Sequence, residues 1–352
     1  MKWLQLLFAL FSLIAYAQEP PEPFDVAVIG GGPAGLSCAT ACAKTGFRTL
    51  VCDAPREGLF DPDILVTNWP GSFPLTWRQT LDGLRKECAR VGGAIMIGHV
   101  KSITKSRGLF VITIGSLSFR SQALVIATGR KPPTLPYQIN SGKPTRILSR
   151  LWNDSFLAPT DTVAVIGDGE SAMNDAVLAS TKAKQVYLLL SSSWKSSSSL
   201  AERIARKTAS ISWMNINSIA SVHSMKDKVL IDYSLRGSRM VQEASWAIIA
   251  TDWTPDSALA EPLVRCDFAG SIVTYDTSGI TSGRGVFSCG EVASRTPLSA
   301  IAAAADGLST SQSVCQYLLD LGIVPSPPPP PKVEKKLPKK PPENKSPEEQ
   351  QE

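Results

Sequence analysis

Val26-Ala27-Val28-Ile29-Gly30 runs on into Gly31-Gly32-Pro33-Ala34-Gly35, and the same five letters return as Val163-Ala164-Val165-Ile166-Gly167 ahead of Asp168-Gly169-Glu170-Ser171-Ala172. A chain that builds one strand-to-turn unit twice binds two nucleotides, or once did. Phe24 to Ile29 is a short apolar run suited to a buried parallel strand, and Leu36 to Ala43 reads as the helix that follows. The glycines therefore stand as G-x-G-x-x-G in the strand, turn and helix setting that the motif needs. Gly30 permits the tight turn, Gly32 lets backbone approach a pyrophosphate, and Gly35 lets helix and strand pack closely. The first N–H groups of the helix then point at negative charge. A second strand, Thr49 to Cys52, ends at Asp53, an acid at the distance expected for a ribose hydroxyl partner. The fold class predicted is α/β, with two Rossmann-like dinucleotide-binding domains.

In the second copy the third glycine is Ala172, a permitted variant, beside Gly167 and Gly169. A helix from Met173 to Ala179 and a strand from Gln185 to Leu190 complete the frame. Beyond Leu190 the chain reads Ser191-Ser192-Ser193-Trp194-Lys195 and then four more serines, with neither an acid for a ribose diol nor an arginine pair for a 2′-phosphate. Lys195, Arg203 and Arg206 are the nearest cations. Two readings stand: a working nicotinamide-cofactor site, and a structural Rossmann-like domain that binds such a cofactor weakly or not at all.

Length allows about two domains once a leader and a tail are set aside. Lys2, the apolar run Trp3 to Ile14 and Ala15-Tyr16-Ala17 have the layout of a secretory signal peptide over 1–17. The run is too short for a comfortable membrane span, and no membrane contact is expected after cleavage. From 324 to 352 the chain is Pro, Lys, Glu and Gln with almost nothing to bury, the composition of a disordered tail. A net charge of +5 spread among acids does not suggest nucleic-acid binding. With 2 histidines, a metal cluster or a histidine triad has little support, and no metal is expected.

The 7 cysteines are Cys38, Cys42, Cys52, Cys88, Cys266, Cys289 and Cys315, with no C-x-x-C among them. A disulfide between Cys38 and Cys42, one helical turn apart, would strain the backbone. Burial is the favoured reading for most, and a single disulfide involving Cys88, Cys266 or Cys315 is left open. Asn153-Asp154-Ser155 is a glycosylation sequon, and Asn344-Lys345-Ser346 a weaker one.

Further signals fall in a fixed order: Thr67-Asn68-Trp69-Pro70-Gly71, Ala123 to Gly129 with Ala127-Thr128-Gly129 at its end, Ile248 to Pro255, and Gly285-Val286-Phe287-Ser288-Cys289-Gly290-Glu291. The series resembles the thioredoxin-reductase-like branch of the pyridine nucleotide-disulfide oxidoreductases, over essentially everything between residues 22 and 322. The N-W-P-G segment is the most branch-specific match. The resemblance implies a discontinuous FAD domain (22–133 and 255–322) with an NAD(P)H-type domain (134–254) inserted in it.

It also implies residue roles. Gly30, Gly32, Pro33, Ala34, Gly35 and Asp53 would hold the pyrophosphate and adenosine half of FAD, with the backbone near Val100 lining the adenine. Asn68 would lie close to the isoalloxazine, with Ala127, Thr128 and Gly129 beside the cofactor. Gly290 and Glu291 would meet the ribityl and pyrophosphate, although the family usually has Asp where Glu291 stands. The segment from Pro297 and Leu298 through Ser299 would open a helix aimed at the flavin pyrimidine. Chains of this type are commonly dimers, which implies a homodimer.

Two departures matter for function. The family's redox C-x-x-C precedes the second Rossmann strand, where this chain reads Arg146-Ile147-Leu148-Ser149-Arg150-Leu151-Trp152 with no cysteine between Cys88 and Cys266. The arginine grip for the 2′-phosphate falls in the serine run. Thioredoxin reduction is rejected and the use of NADPH is left open. The expectation is an FAD-dependent oxidoreductase acting on a small organic substrate, with hydride transfer to flavin N5. Resemblance to secreted fungal flavoenzymes implies a place in secondary metabolism. The alternatives are an NADPH-dependent reductase or oxidase, and a non-catalytic flavin-binding protein. No catalytic base is assigned; Asp61, Asp63 and Ser299 are the candidates near the flavin.

Overall fold

The computed structural model describes residues 22–54, 66, 69, 75–132, 134–140, 146–151, 156–191, 195, 198–294 and 299–326. The leader at 1–17, Asp61, Asp63, Asn68, both sequons, Pro297, Leu298 and the tail from 327 lie outside them.

The repeated Val-Ala-Val-Ile forms the central strands of two sheets, and its alternation explains why it is apolar throughout. In β1 (Phe24–Ile29), Val26 and Val28 enter one core while Ala27 and Ile29 enter another on the opposite face. A parallel strand covered on both faces has no solvent side on which to place polar residues. The chain continues through α1 (Pro33–Lys44), β2 (Thr49–Asp53), α2 (Trp77–Arg90), β3 (Ala94–Ile97), β4 (Val100–Ser106), β5 (Leu109–Ile114) and β6 (Leu117–Ile126). These strands form one sheet ordered β3-β2-β1-β6-β5-β4.

After Ala127-Thr128-Gly129, the short β7 (Arg130–Lys131) leaves that sheet, and β8 (Gln138–Asn140) and β9 (Ile147–Leu148) follow. The second copy of the repeat is β10 (Thr162–Ile166), followed by α3 (Glu170–Ser180), β11 (Gln185–Ser191), α4 (Leu200–Lys207) and β12 (Ile211–Ile216). Here too Val163 and Val165 face one core, and Ala164 and Ile166 the other. Strands β13 (Ser218–Ser224), β14 (Val229–Leu235) and β15 (Ser238–Ala244) form a sheet with β8, ordered β15-β14-β13-β8. Then β16 (Trp246–Ile249) closes the parallel sheet β12-β11-β10-β16-β9.

The return strand β17 (Thr254–Pro255) pairs antiparallel with β7, and the chain rejoins the first sheet as β18 (Val286–Ser288), parallel to β6. The last helix, α5 (Ala300–Asp320), lies against α1. Their approach is backbone to backbone: a Cβ on Gly307 would overlap the Ala34 carbonyl. Along the same face, Cys42 and Cys315 both meet the Thr45 hydroxyl, which donates to the Cys42 carbonyl at 2.8 Å and lies 3.5 Å from the Cys315 sulfur. All seven cysteines are free thiols, five of them buried and Cys266 and Cys315 half-buried. Burial pushes the Cys52 thiol up to about 12, which suits a packing residue rather than a nucleophile. The tail expected from 324 keeps its first residues on the body, since the Ser326 N–H donates to the Gly46 carbonyl at 3.0 Å.

Among the described residues no helix is long and apolar enough to cross a membrane, and no cluster of His, Cys, Asp and Glu could hold a metal ion.

Candidate functional site

Strands β1, β2, β6 and β18 are parallel, so Gly30, Asp53, Ala127 and Gly290 emerge at one edge of the first sheet. The chain leaves β1 for β2 on one side and reaches β6 on the other. Such a switch point opens the crevice in which α/β sheets bind ligands.

At its centre Gly30 adopts φ +110°, and a Cβ there would overlap the Ala127 carbonyl. A Cβ on Gly35 would overlap the carbonyl of Gly30, so α1 starts closer to the sheet than any side chain allows. Gly32 is the N-cap of α1 and has no side chain to occupy the first N–H groups; Pro33 and Ala34 follow, with no acid in the first turn. Unpaired helix N–H groups without a local carboxylate suit a diphosphate.

Asp53 ends β2 and is buried. Its Oδ1 accepts the Gly31 N–H at 3.0 Å and its Oδ2 accepts from Arg85 of α2 at 2.7 Å. Two bonds leave an ionised carboxylate with further acceptor capacity for a ribose hydroxyl. Arg85 Nε is buried and, among the described residues, has no hydrogen-bond partner, so the adenosine end of the crevice holds an unspent donor. Val100 opens β4 near the same corner, because the Gly98 N–H donates to the Asp53 carbonyl at 2.8 Å.

On the other side, the Gly290 N–H donates to Asp306 Oδ2 of α5 at 2.7 Å, and Gly290 adopts φ +78° with Glu291 next in the turn. Thr128 and Gly129 form the exit from β6; the Thr128 hydroxyl donates to the Asp256 carbonyl at 2.6 Å, and the Asp256 N–H to the Gly129 carbonyl at 3.0 Å. Ser299 is the N-cap of α5 and makes no side-chain cap bond. These residues fit FAD: a glycine cradle, a helix N-terminus, a ribose acid and a turn held open by a second helix. Sequence reasoning missed Arg85 and Asp306. Asp306 had a signal, a lone acid inside Ala302 to Gly307, whereas Arg85 had none.

Asp306→Ala leaves the Gly290 N–H without its partner, at a cost of about 1–3 kcal/mol. The expected result is a fold that survives, with FAD retained more weakly on dialysis than by the parent chain. Equal retention would remove Asp306 from the site.

In the second sheet Gly167 repeats the geometry of Gly30: a Cβ there would overlap the Ala250 carbonyl. Gly169 caps α3, and Ala172 is fully buried one turn later. Pairing register aligns Ile166 with Leu189 as it aligns Ile29 with Cys52, so buried Leu190 stands where the first copy has Asp53. Arg206 is committed elsewhere. Its guanidinium binds buried Glu202 at 2.8 Å and lies 4.6 Å from the Trp213 ring, so it does not replace the missing phosphate grip.

A sequence profile described as pyridine nucleotide-disulphide oxidoreductase matches residues 24–307. The thioredoxin reductase of Borreliella burgdorferi is 26% identical over 84% of this chain and 92% of its own. That of Vibrio cholerae is 27% identical over 83% and 95%. Among solved structures, thioredoxin reductase from Giardia duodenalis superposes with a TM-score of 0.71 at 21% identity, covering 85% of this chain and 99% of that one. This last likeness is one of fold.

Proposed function

The chain belongs to the pyridine nucleotide-disulphide oxidoreductase family and is an FAD-dependent oxidoreductase; within that activity we propose that its electron donor is a small organic molecule and that no thioredoxin-type disulfide relay operates. The observation that carries the reading is the contrast between a first crevice whose described residues suit FAD and the segment before β10. There Arg150 reaches Asp175 and the Ser171 hydroxyl, at 3.0 and 2.9 Å, in a stretch without cysteine. An ion pair buried against α3 cannot pass electrons as a dithiol does.

When bound, FAD supplies a hydride acceptor at N5. The chain's part is to hold it. The α1 N-terminus and the Gly30–Gly35 turn would receive its diphosphate, Asp53 would orient its ribose, and Gly290, fixed by Asp306, would line the ribityl side. The donor would give up a hydride and a proton, and molecular oxygen or another two-electron acceptor would take up the two electrons and two protons. The leader at 1–17 supports the secretory pathway as the location. The fungal resemblance supports secondary-metabolite biosynthesis, and family habit supports a homodimer, which sedimentation of the purified chain tests.

The deciding experiment is anaerobic mixing of the flavin-loaded protein with panels of alcohols, thiols and amines, followed by the flavin absorbance. Bleaching by an organic donor is the expected result. Rapid bleaching by NADPH with none by any organic donor would assign an NADPH-dependent reductase. Tight FAD with no bleaching at all would assign a flavin-binding scaffold.

A further inference from the structure

The two Rossmann turns are superposable in sequence, which makes one mismatch informative. After β6 the chain reads Ala127-Thr128-Gly129, and after β16 it reads Ala250-Thr251-Asp252. The equivalence is structural, because Ala127 and Ala250 are the residues whose carbonyls press on Gly30 and Gly167. Gly129, at φ +70°, has open space where its side chain would be. Asp252 instead projects a carboxylate onto the second turn. A Cβ built on Gly169 would overlap Asp252 Oδ2 and lie 2.6 Å from Oδ1.

That space has a known use. The second glycine of the motif lacks a side chain so that a pyrophosphate can come up against the backbone. Here a carboxylate of the chain itself stands in that approach. Two further acids stand at the same turn: Asp168, whose Oδ1 accepts the Ser191 N–H at 2.6 Å, and Glu170 in the first turn of α3. The first turn of α1 has no acid. Acids at a helix N-terminus take up the favourable field that a phosphate would otherwise use. Asp252 is exposed, so its side chain can rotate; rotation relieves the overlap but keeps the charge within a side chain's length of the turn, where phosphates carry the same sign.

We infer that Asp252 acts as a resident anion of the second dinucleotide turn, closing the pyrophosphate approach at Gly169 and keeping nicotinamide dinucleotides out of the 134–254 domain. The residues present fit neither dinucleotide: the Asp252 carboxylate fills the phosphate approach at Gly169, Asp168 and Glu170 add negative charge to the same turn, Leu190 stands where a ribose acid would serve NADH, and Arg206, held by Glu202, does not grip the 2′-phosphate of NADPH. This deepens the proposed function by explaining why the donor is an organic molecule, but it rests on the geometry of the second turn alone.

The test uses oxidised NADP+ and NAD+, which cannot deliver a hydride, so binding is read apart from turnover. Calorimetric titration of the FAD-loaded protein is expected to show little or no binding to the parent chain. Asp252→Gly is expected to bind both dinucleotides at least about tenfold more tightly, since removing a juxtaposed like charge and its bulk acts directly on the phosphates. Asp252→Asn, of the same shape without the charge, is expected to gain part of this, which separates repulsion from blockage even where the glycine variant folds poorly. Parent and both variants binding alike, tightly or weakly, would overturn the inference. Organic donors bleaching the flavin while the variants gain nothing would leave the proposed function standing without it, and the converse pairing would do the reverse.

Discussion

Gly30→Ala is expected to purify without flavin and to melt far below the parent chain. At φ +110° an L-residue meets its own carbonyl, a penalty of about 1–2 kcal/mol before any neighbour is considered. The added methyl then overlaps the Ala127 carbonyl oxygen and comes within 2.7 Å of its carbon and 3.0 Å of the Thr128 nitrogen. All three are backbone atoms at the joint of β1 and β6, so no rotamer change relieves the clash. Either the strands part or the turn does. The turn is also tied to β2 by the Gly30 N–H, which donates to the Cys52 carbonyl at 2.8 Å. A total above about 4 kcal/mol places the change among exceptional single substitutions. Gly108→Ala is the control. It shares a positive φ, +85°, but has open space around the added methyl, so it is expected to cost only about 1 kcal/mol and to keep its flavin. Flavin absorbance per chain and the melting temperature check both. A Gly30→Ala protein that carries full flavin and melts with the control would refute the cradle.

Arg150→Met is expected to cost about 3–5 kcal/mol at pH 7.5, because it strands a buried carboxylate. Asp175 keeps 3% of its side chain exposed and draws its compensation from Arg150. Burial outweighs that attraction even in the parent chain and pushes Asp175 up to about 6. The sign follows from the direction of the shift. A folded carboxyl that binds its proton more tightly than the unfolded one makes the protein lose stability as pH rises from about 4 through about 6, with no further loss above. Without Arg150 the folded value climbs further. The deficit of the variant is therefore largest where Asp175 must be ionised, at pH 7.5, and shrinks at pH 5, where the parent also holds the proton. Urea midpoints at the two pH values measure this. Equal deficits at both would mean that packing and the Ser171 bond, not charge, account for the loss.

Much of the fold was legible because its signals are local. Alternating Val-Ala-Val-Ile buried on both faces, glycines at Gly30 and Gly35 where backbone must touch backbone, and an acid ending β2 can each be read from a dozen residues. The partners of those features were not. Arg85 lies 32 positions from Asp53 and reaches it only because α2 crosses the end of β2. Asp306 meets Gly290 only because α5 packs closely enough on α1 to exclude a side chain at Gly307. Asn68, Asp61 and Asp63 fall outside the described residues, so the flavin's reacting side rests on sequence alone.

By itself, then, the sequence determined two strand-turn-helix units and the absence of a redox cysteine pair. All follow from spacing and residue type along the chain. Asp168 and Glu170 in the second turn are also read from the sequence, but only the tertiary structure decided that Asp252 joins them. Whether an aspartate 83 positions from Gly169 lies over that glycine or points away depends on where β16 ends beside β10, and strand pairing, not spacing, sets that distance. The repeat predicts one strand-turn-helix unit built twice; pairing β16 beside β10 brings the Asp252 carboxylate onto Gly169, whereas the matching position of the first unit is Gly129, with open space around it.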